Sequence, residues 1–156
     1  MTRKPGRNSR SGAPCPEGRF CALAANAHDA IARFDREGRF LYASPSAARL
    51  LGLPDDAIVG KTAEEPGRDS GGAESWESRL RGVFASGQPQ RFDERTVDGR
   101  WYDVRLVPEQ RGSEVETVLS FARDITERKR AEEELRAANQ SLADADRRKN
   151  EFLAVL

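Results

Sequence analysis

The alternation of apolar and polar residues changes period several times along the chain. In Glu17 to Asn26, Phe20, Leu23 and Ala24 recur at helical spacing and predict a short amphipathic helix. Ala30-Ile31-Ala32-Arg33-Phe34 and Arg39-Phe40-Leu41-Tyr42-Ala43 are two runs with β-branched or aromatic residues, separated by Asp35-Arg36-Glu37-Gly38. Asp at the start of that turn and Gly at its end predict a hairpin. Ser44-Pro45 follows at once. The Ser44 hydroxyl can cap a helix, and Pro45 suits a first helical position, where a missing N–H costs nothing. Ala47, Ala48, Leu50 and Leu51 supply that short helix; Gly52 ends it and Pro54 prevents its resumption.

From Asp55 to Gly72 the apolar positions thin out to Ile58 and Val59, which predicts one or two single-turn helices and a mobile loop. Trp76, Leu80, Val83 and Phe84 then restore helical spacing up to Gly87. The period next drops to two. Gln90 to Val97 reads as a strand with a wet face, and Asp98-Gly99 as a two-residue turn with positive φ at both central positions. Arg100 to Pro108 places Tyr102, Val104 and Leu106 on one face and Trp101, Asp103, Arg105 and Val107 on the other. A turn around Gly112 leads into a last strand, Val115 to Ala122. The expected fold is α+β: a five-stranded antiparallel sheet with helices on one face, followed by a long C-terminal helix. The other face, with Trp101 and Val107, is left for the N-terminal helix or another subunit.

After Arg128 the period changes again. Ala131, Leu135, Ala138, Leu142, Ala145, Lys149, Phe152 and Leu156 are spaced alternately four and three apart, a heptad seam flanked by charged residues. A lone helix this polar is marginal in water, because burial of an apolar stripe supplies most helical stability. The seam therefore predicts a coiled-coil partner, and Lys149 weakens it locally. The domain reading is a disordered basic tail over 1–16, a globular domain over 17–126 and a coiled-coil helix over 127–156.

Composition narrows the function. Charged residues make up 33% and hydrophobic ones 37% of 156 residues, with a formal net charge of zero. That leaves room for one domain and an appendage. No apolar run approaches the roughly 18 residues a membrane helix needs, and residues 1–16 lack the apolar stretch of a secretion signal, so the expected location is cytoplasmic. The tail carries Arg3, Lys4, Arg7 and Arg10 with no acidic residue, but no aromatic residue or recognition helix accompanies them, which argues against nucleic acid as a partner. Cys15 and Cys21 match neither CxxC nor zinc-ligand spacing, and with a single histidine, His28, they argue against a metal site. His28 has no spaced Asp, Ser or Cys with which to form a triad. The carboxylates are spread along a helix face and strand edges as solvated charge rather than as a catalytic pair. Gly71-Gly72 lacks the spacing of a phosphate loop.

Asp29-Ala30-Ile31-Ala32-Arg33-Phe34-Asp35, Gly38-Arg39 with Leu41-Tyr42, Ser44-Pro45-Ser46-Ala47, Val59-Gly60-Lys61-Thr62 and Arg123-Asp124-Ile125-Thr126-Glu127-Arg128-Lys129, in that order, resemble a PAS sensor domain of the S-box type over roughly Phe20 to Lys129. The Asn frequent in that family after the second strand is Ser44 here. The resemblance implies that Asp124, Ile125 and Thr126 end the last strand and transfer a signal to the outgoing helix. Either Asp124 or Thr126 is expected to cap its first turn. Arg147 to Leu156 resembles the approach to the phosphoacceptor histidine of sensor histidine kinases, implying a chain that stops just before that histidine.

The resemblance also bears on cofactors. PAS domains that bind haem supply a histidine from the region after the second strand, and residues 45 to 87 contain none; the cysteine needed for covalent flavin attachment is missing there as well. No cofactor is identifiable. Candidate walls of a small-ligand pocket are Phe34, Leu41, Trp76, Leu80, Phe84, Val104 and Leu119, which also serve simply as core. The expected function is the sensory input and dimerisation module of a two-component histidine kinase, with a homodimer through the seam and a kinase core and response regulator as partners of the parent protein. By itself this chain is not expected to transfer phosphate. The alternatives are a free-standing PAS interaction module, or the input of another output such as a cyclic-dinucleotide synthase.

Overall fold

A computed structural model describes residues 29–54, 57–63, 75–96 and 98–156. The expected basic tail, the expected helix of residues 17–26 and most of the segment from Asp55 to Gly72, where a mobile loop was expected, lie outside the described residues. Five strands, β1 (Ala30–Phe34), β2 (Phe40–Ala43), β3 (Gln90–Arg95), β4 (Trp101–Arg111) and β5 (Glu114–Asp124), form one antiparallel sheet in the order β2-β1-β5-β4-β3. Helices α1 (Pro45–Leu51) and α2 (Trp76–Ser86) lie between β2 and β3 in sequence, and α3 (Thr126–Val155) follows β5. The chain divides into two compact units, residues 1–124 and 125–156.

Local chemistry explains the short elements. Ser44 is the N-cap of α1, its hydroxyl accepting the Ala47 N–H at 3.2 Å, and Gly52 closes the helix at φ 67°. The same Oγ accepts the Ile31 N–H at 3.0 Å, so one buried hydroxyl holds both a helix start and a strand. Ser75 and Gly87 play the two cap roles for α2. Caps of this kind contribute about 1 kcal/mol each.

The turns depart from expectation. Between β3 and β4 the Gly99 N–H bonds the Thr96 carbonyl and the Thr96 N–H the Arg100 carbonyl, both at 2.9 Å, so the loop contains three residues rather than two. Gly99 has φ 83°, whereas Asp98 does not take positive φ. Such a loop is a tight turn followed by a left-handed glycine. The β1–β2 turn repeats it with Asp35, Gly38 and Arg39. The two-residue turn is instead Gly112-Ser113, where Arg111 pairs with Glu114. β4 continues through Pro108 to Arg111 and β5 begins at Glu114, so this hairpin is longer than the sequence reading.

Period two sorts the sheet into unlike faces. Phe34, Phe40, Val104, Leu106 and Val118 turn towards α1 and α2 and are nearly inaccessible, joined there by Ile58, Trp76, Leu80 and Val83. Phe34 packs on Phe40 and Trp76, with ring centroids at 4.5 and 5.9 Å. On the opposite face Arg33 meets Glu109 at 2.9 Å and Arg91 meets Asp103 at 2.7 Å, interleaved with Val107, Leu119 and Phe121. Trp101 lies on this face as well.

In the second unit, α3 runs unbroken for 30 residues. Its N-cap is Ile125, which makes no side-chain cap hydrogen bond; the Lys129 N–H returns to the Ile125 carbonyl at 2.9 Å. Thr126 is already inside the helix and Asp124 belongs to β5, so neither is the expected cap residue. Among the described residues no helix is long and apolar enough to cross a membrane.

Candidate functional site

Three places in the structure gather the residues singled out above. The first is an apolar void of about 30 Å³ between α1, α2 and the sheet. Phe34, Trp76 and Val104 line it, together with Phe40, Leu50 and Ala122. Leu80 is buried in the same core, and Phe84 packs against it. Leu41 and Leu119 are not part of that cluster. Each is one residue out of phase with the inward positions of its strand; Leu41 is 44% exposed and Leu119 faces the Arg33 side of the sheet. The void is an order of magnitude smaller than pockets that enclose drug-sized molecules. These side chains fill space rather than enclose it.

The second place is a polar cleft of about 440 Å³ beside the C-terminal end of β5. On the α1 side it is lined by Ser46, Arg49 and Leu50, and on the other by Asp98, Arg100, Tyr102 and Asp124. Arg100 stands 3.2 Å from Asp98 and 4.0 Å from Asp124. Tyr102 and Asp124 face each other in register on β4 and β5. Burial pushes the Tyr102 phenol up from its ordinary pKa, and the hydrogen bond between Tyr102 and Arg100, more than any other contact, raises the guanidinium further. The Thr96 hydroxyl, 2.5 Å away, holds the Asp98 carboxyl below its usual range. Sequence reasoning found Asp124 but missed Arg49, Asp98, Arg100 and Tyr102. They come from separate segments that only the sheet order brings together. The one local signal was a pair of opposite charges flanking Gly99.

The third is the exposed face of α3. Leu135, Leu142, Phe152 and Leu156 are 63%, 69%, 66% and 88% exposed, and Ala138, Ala145 and Lys149 are exposed with them. At 100° per residue these positions share one helical stripe.

A family model described as the PAS fold matches residues 25–130 of this chain. The chain belongs to the PAS family. Among solved structures, this PAS domain is similar to a domain of an HTR-like protein from Haloarcula marismortui, with TM-score 0.54 and 26% identity, covering 64% of this chain and 100% of that one. It is also similar to the PAS domain of BvgS from Bordetella pertussis, with TM-score 0.59 and 25% identity, covering 80% of this chain and 96% of that one. The PAS domain of the histidine kinase ThkA shares the fold, with TM-score 0.51 and 20% identity over 62% of this chain and 98% of that one. No curated protein sequence matches the chain. Within the PAS domain, the motifs quoted from the sequence occupy β1, the β1–β2 turn, the α1 cap, the segment whose Thr62 bridges to Arg39, and the end of β5.

Proposed function

We propose that this PAS domain, of the S-box type, is the cytoplasmic sensory input and dimerisation module of a two-component histidine kinase. The domain proper spans 17–126 and the signalling helix 127–156. The observation that carries the reading is the apolar heptad stripe of α3, displayed on an unbroken helix that starts two residues after β5 ends. An exposed stripe of Leu and Ala is costly for a solitary helix and becomes stabilising once a second copy covers it. A change in the PAS core passes along the chain through Asp124, Ile125 and Thr126. It alters the rotation or register of the paired helices and so repositions a phosphoacceptor histidine relative to its kinase core. The histidine-kinase neighbour with the same fold supports this output. A response regulator would be the next partner.

Two measurements test the proposal. In sedimentation equilibrium at tens of micromolar, the chain is expected to be a dimer and the double substitution Leu135→Asp, Leu142→Asp a folded monomer. A monomeric wild type removes the seam. With the chain fused ahead of a histidine-kinase core, inserting seven residues into α3 should preserve autophosphorylation, while inserting four should change it severalfold, because only seven keeps the heptad phase. Equal effects of the two insertions would favour a free-standing module or a different output.

A further inference from the structure

A recess of about 550 Å³ lies at the other end of β5 from the polar cleft, between the C-terminal end of α2, the β1–β2 turn and the β4–β5 hairpin. Its walls include Arg36, Arg81, Phe84, Gln110, Glu114 and Val115. Arg36 is pinned there from the turn: its Nε and Nη2 donate to the Val115 carbonyl at 3.1 and 2.9 Å, and Nη2 also donates to Glu114 Oε2 at 3.0 Å. Its Nη1 takes no part in these bonds. Arg81 meets Glu77 of its own helix, outside the recess, at 3.9 Å and with its side chain 77% exposed. That is a weak surface pair, which a better placed carboxylate displaces. Two guanidinium groups therefore face the space against the single carboxylate of Glu114, an excess of one positive charge. A polyanion is disfavoured, because Glu114 and the carbonyl end of α2 both repel a second negative charge. Phe84, half-buried against the core, and Val115 supply an apolar wall. Gly87, which closes α2, leaves the space beside them open: a Cβ there would stand 3.2 Å from Gln110 Nε2 and 3.8 Å from Val115 Cγ2. One carboxylate on a flat apolar body matches both the charge and the wall, since a guanidinium offers a carboxylate two parallel hydrogen bonds and an aromatic ring packs well on another. The volume lies within the range of small-molecule sites.

We infer that this recess binds an aromatic monocarboxylate, the chemical class of naphthoate and the indole carboxylates. The carboxylate lies between Arg36 Nη1 and Arg81, and the ring against Phe84 and Val115, with the Gln110 amide at its edge. The site lies wholly within residues 1–124, so it stands or falls independently of the pairing of α3.

The test is an amide-resolved NMR titration of the full 156-residue chain with naphthoate, neutral naphthylmethanol, acetate and inorganic phosphate. Naphthoate should give saturable shifts at Phe84, Gly87 and Val115. Naphthylmethanol, which lacks the charge, and acetate and phosphate, which lack the ring, should each bind about tenfold or more weakly. Arg81→Ala should weaken naphthoate by about tenfold and Arg81→Lys should recover part of it. Thermal melts of both variants should match the wild type, because the Arg81 side chain is exposed and its ion pair is weak. No saturable shift at those amides, binding of any of the three control compounds as tight as that of naphthoate, or unchanged naphthoate binding by Arg81→Ala would each overturn the assignment.

Discussion

The two units of the chain obtain their stability in opposite ways. In the globular unit, Phe34, Leu106, Val104, Val83 and Val118 are at most 1% exposed, and almost every turn is closed by a glycine or a hydroxyl that satisfies backbone groups locally. In α3, every residue from Ala131 onward is exposed, and the ion pairs are within-helix contacts such as Arg128 with Glu132 at 3.9 Å. Surface pairs of that kind contribute a few tenths of a kcal/mol. One unit holds its own apolar surface; the other presents its apolar surface outward. Removing apolar groups should therefore unfold the first, and in the second weaken the proposed pairing of α3 without unfolding the globular unit.

The comparison can be broken most forcefully at Phe34. Phe34→Ala removes a fully buried ring from between Phe40 and Trp76 and should cost about 3–5 kcal/mol of unfolding free energy in urea titrations followed by tryptophan fluorescence. A loss under 1 kcal/mol would mean that the core is not the source of stability. Next in size is Ser44→Ala, which strands the Ile31 N–H and uncaps α1. A loss of about 2 kcal/mol is expected from the cap and the unpaired donor together. Ser44→Asn should lose less, because Asn caps equally well, and calorimetric melts of the two variants decide this.

In the helix the expected effects are smaller and change sign. Lys149→Leu replaces a charge at a position of the proposed seam and should tighten the proposed dimer by about 1 kcal/mol in sedimentation equilibrium, leaving the midpoint of the globular unit unmoved. An unchanged dimer constant would refute the heptad phase. Smallest is the pH response of the β3–β4 turn. Because the Thr96 hydroxyl lowers the Asp98 pKa from its ordinary value of 3.8, the stabilisation it provides is complete above pH 3.8 and is lost as pH falls through the lowered folded value. Thr96→Val should move the Asp98 titration, followed by carboxyl carbon NMR, back towards 3.8. Titration at the same pH in both forms would exclude that hydrogen bond.

Where chemistry is local, the chain could be read directly. Ser44-Pro45 with Gly52 marks both ends of α1, because a cap needs only a hydroxyl and a turn of amides a few residues away. The helix of α3 and the apolar positions spaced along it are visible because a helix repeats its faces without help from other segments. Reading failed where a position depends on a distant partner. Leu41 and Leu119 look like core residues by type, yet their phase within the strand turns them away from Phe34 and Val104. Asp98-Gly99 looked like a two-residue turn, but pairing Arg95 with Trp101 keeps the inward residues of β3 and β4 on one face, and the bond from the Thr96 N–H to the Arg100 carbonyl then leaves three residues between them. The void offers the same lesson: Phe34, Trp76 and Val104 meet there, while the cleft residues Arg49, Arg100 and Tyr102 gave no joint signal.

By itself the sequence determined the elements, their caps, the PAS resemblance and the stripe on the last helix, since each depends on spacing within a few turns of chain. Only the tertiary structure decided that β1 lies between β2 and β5, which leucines face the core, and that α1 and the β3–β4 turn stand across a polar cleft. Those outcomes depend on backbone pairing between segments up to about ninety residues apart, and hydrogen bonds of that range leave no periodic trace in the side chains.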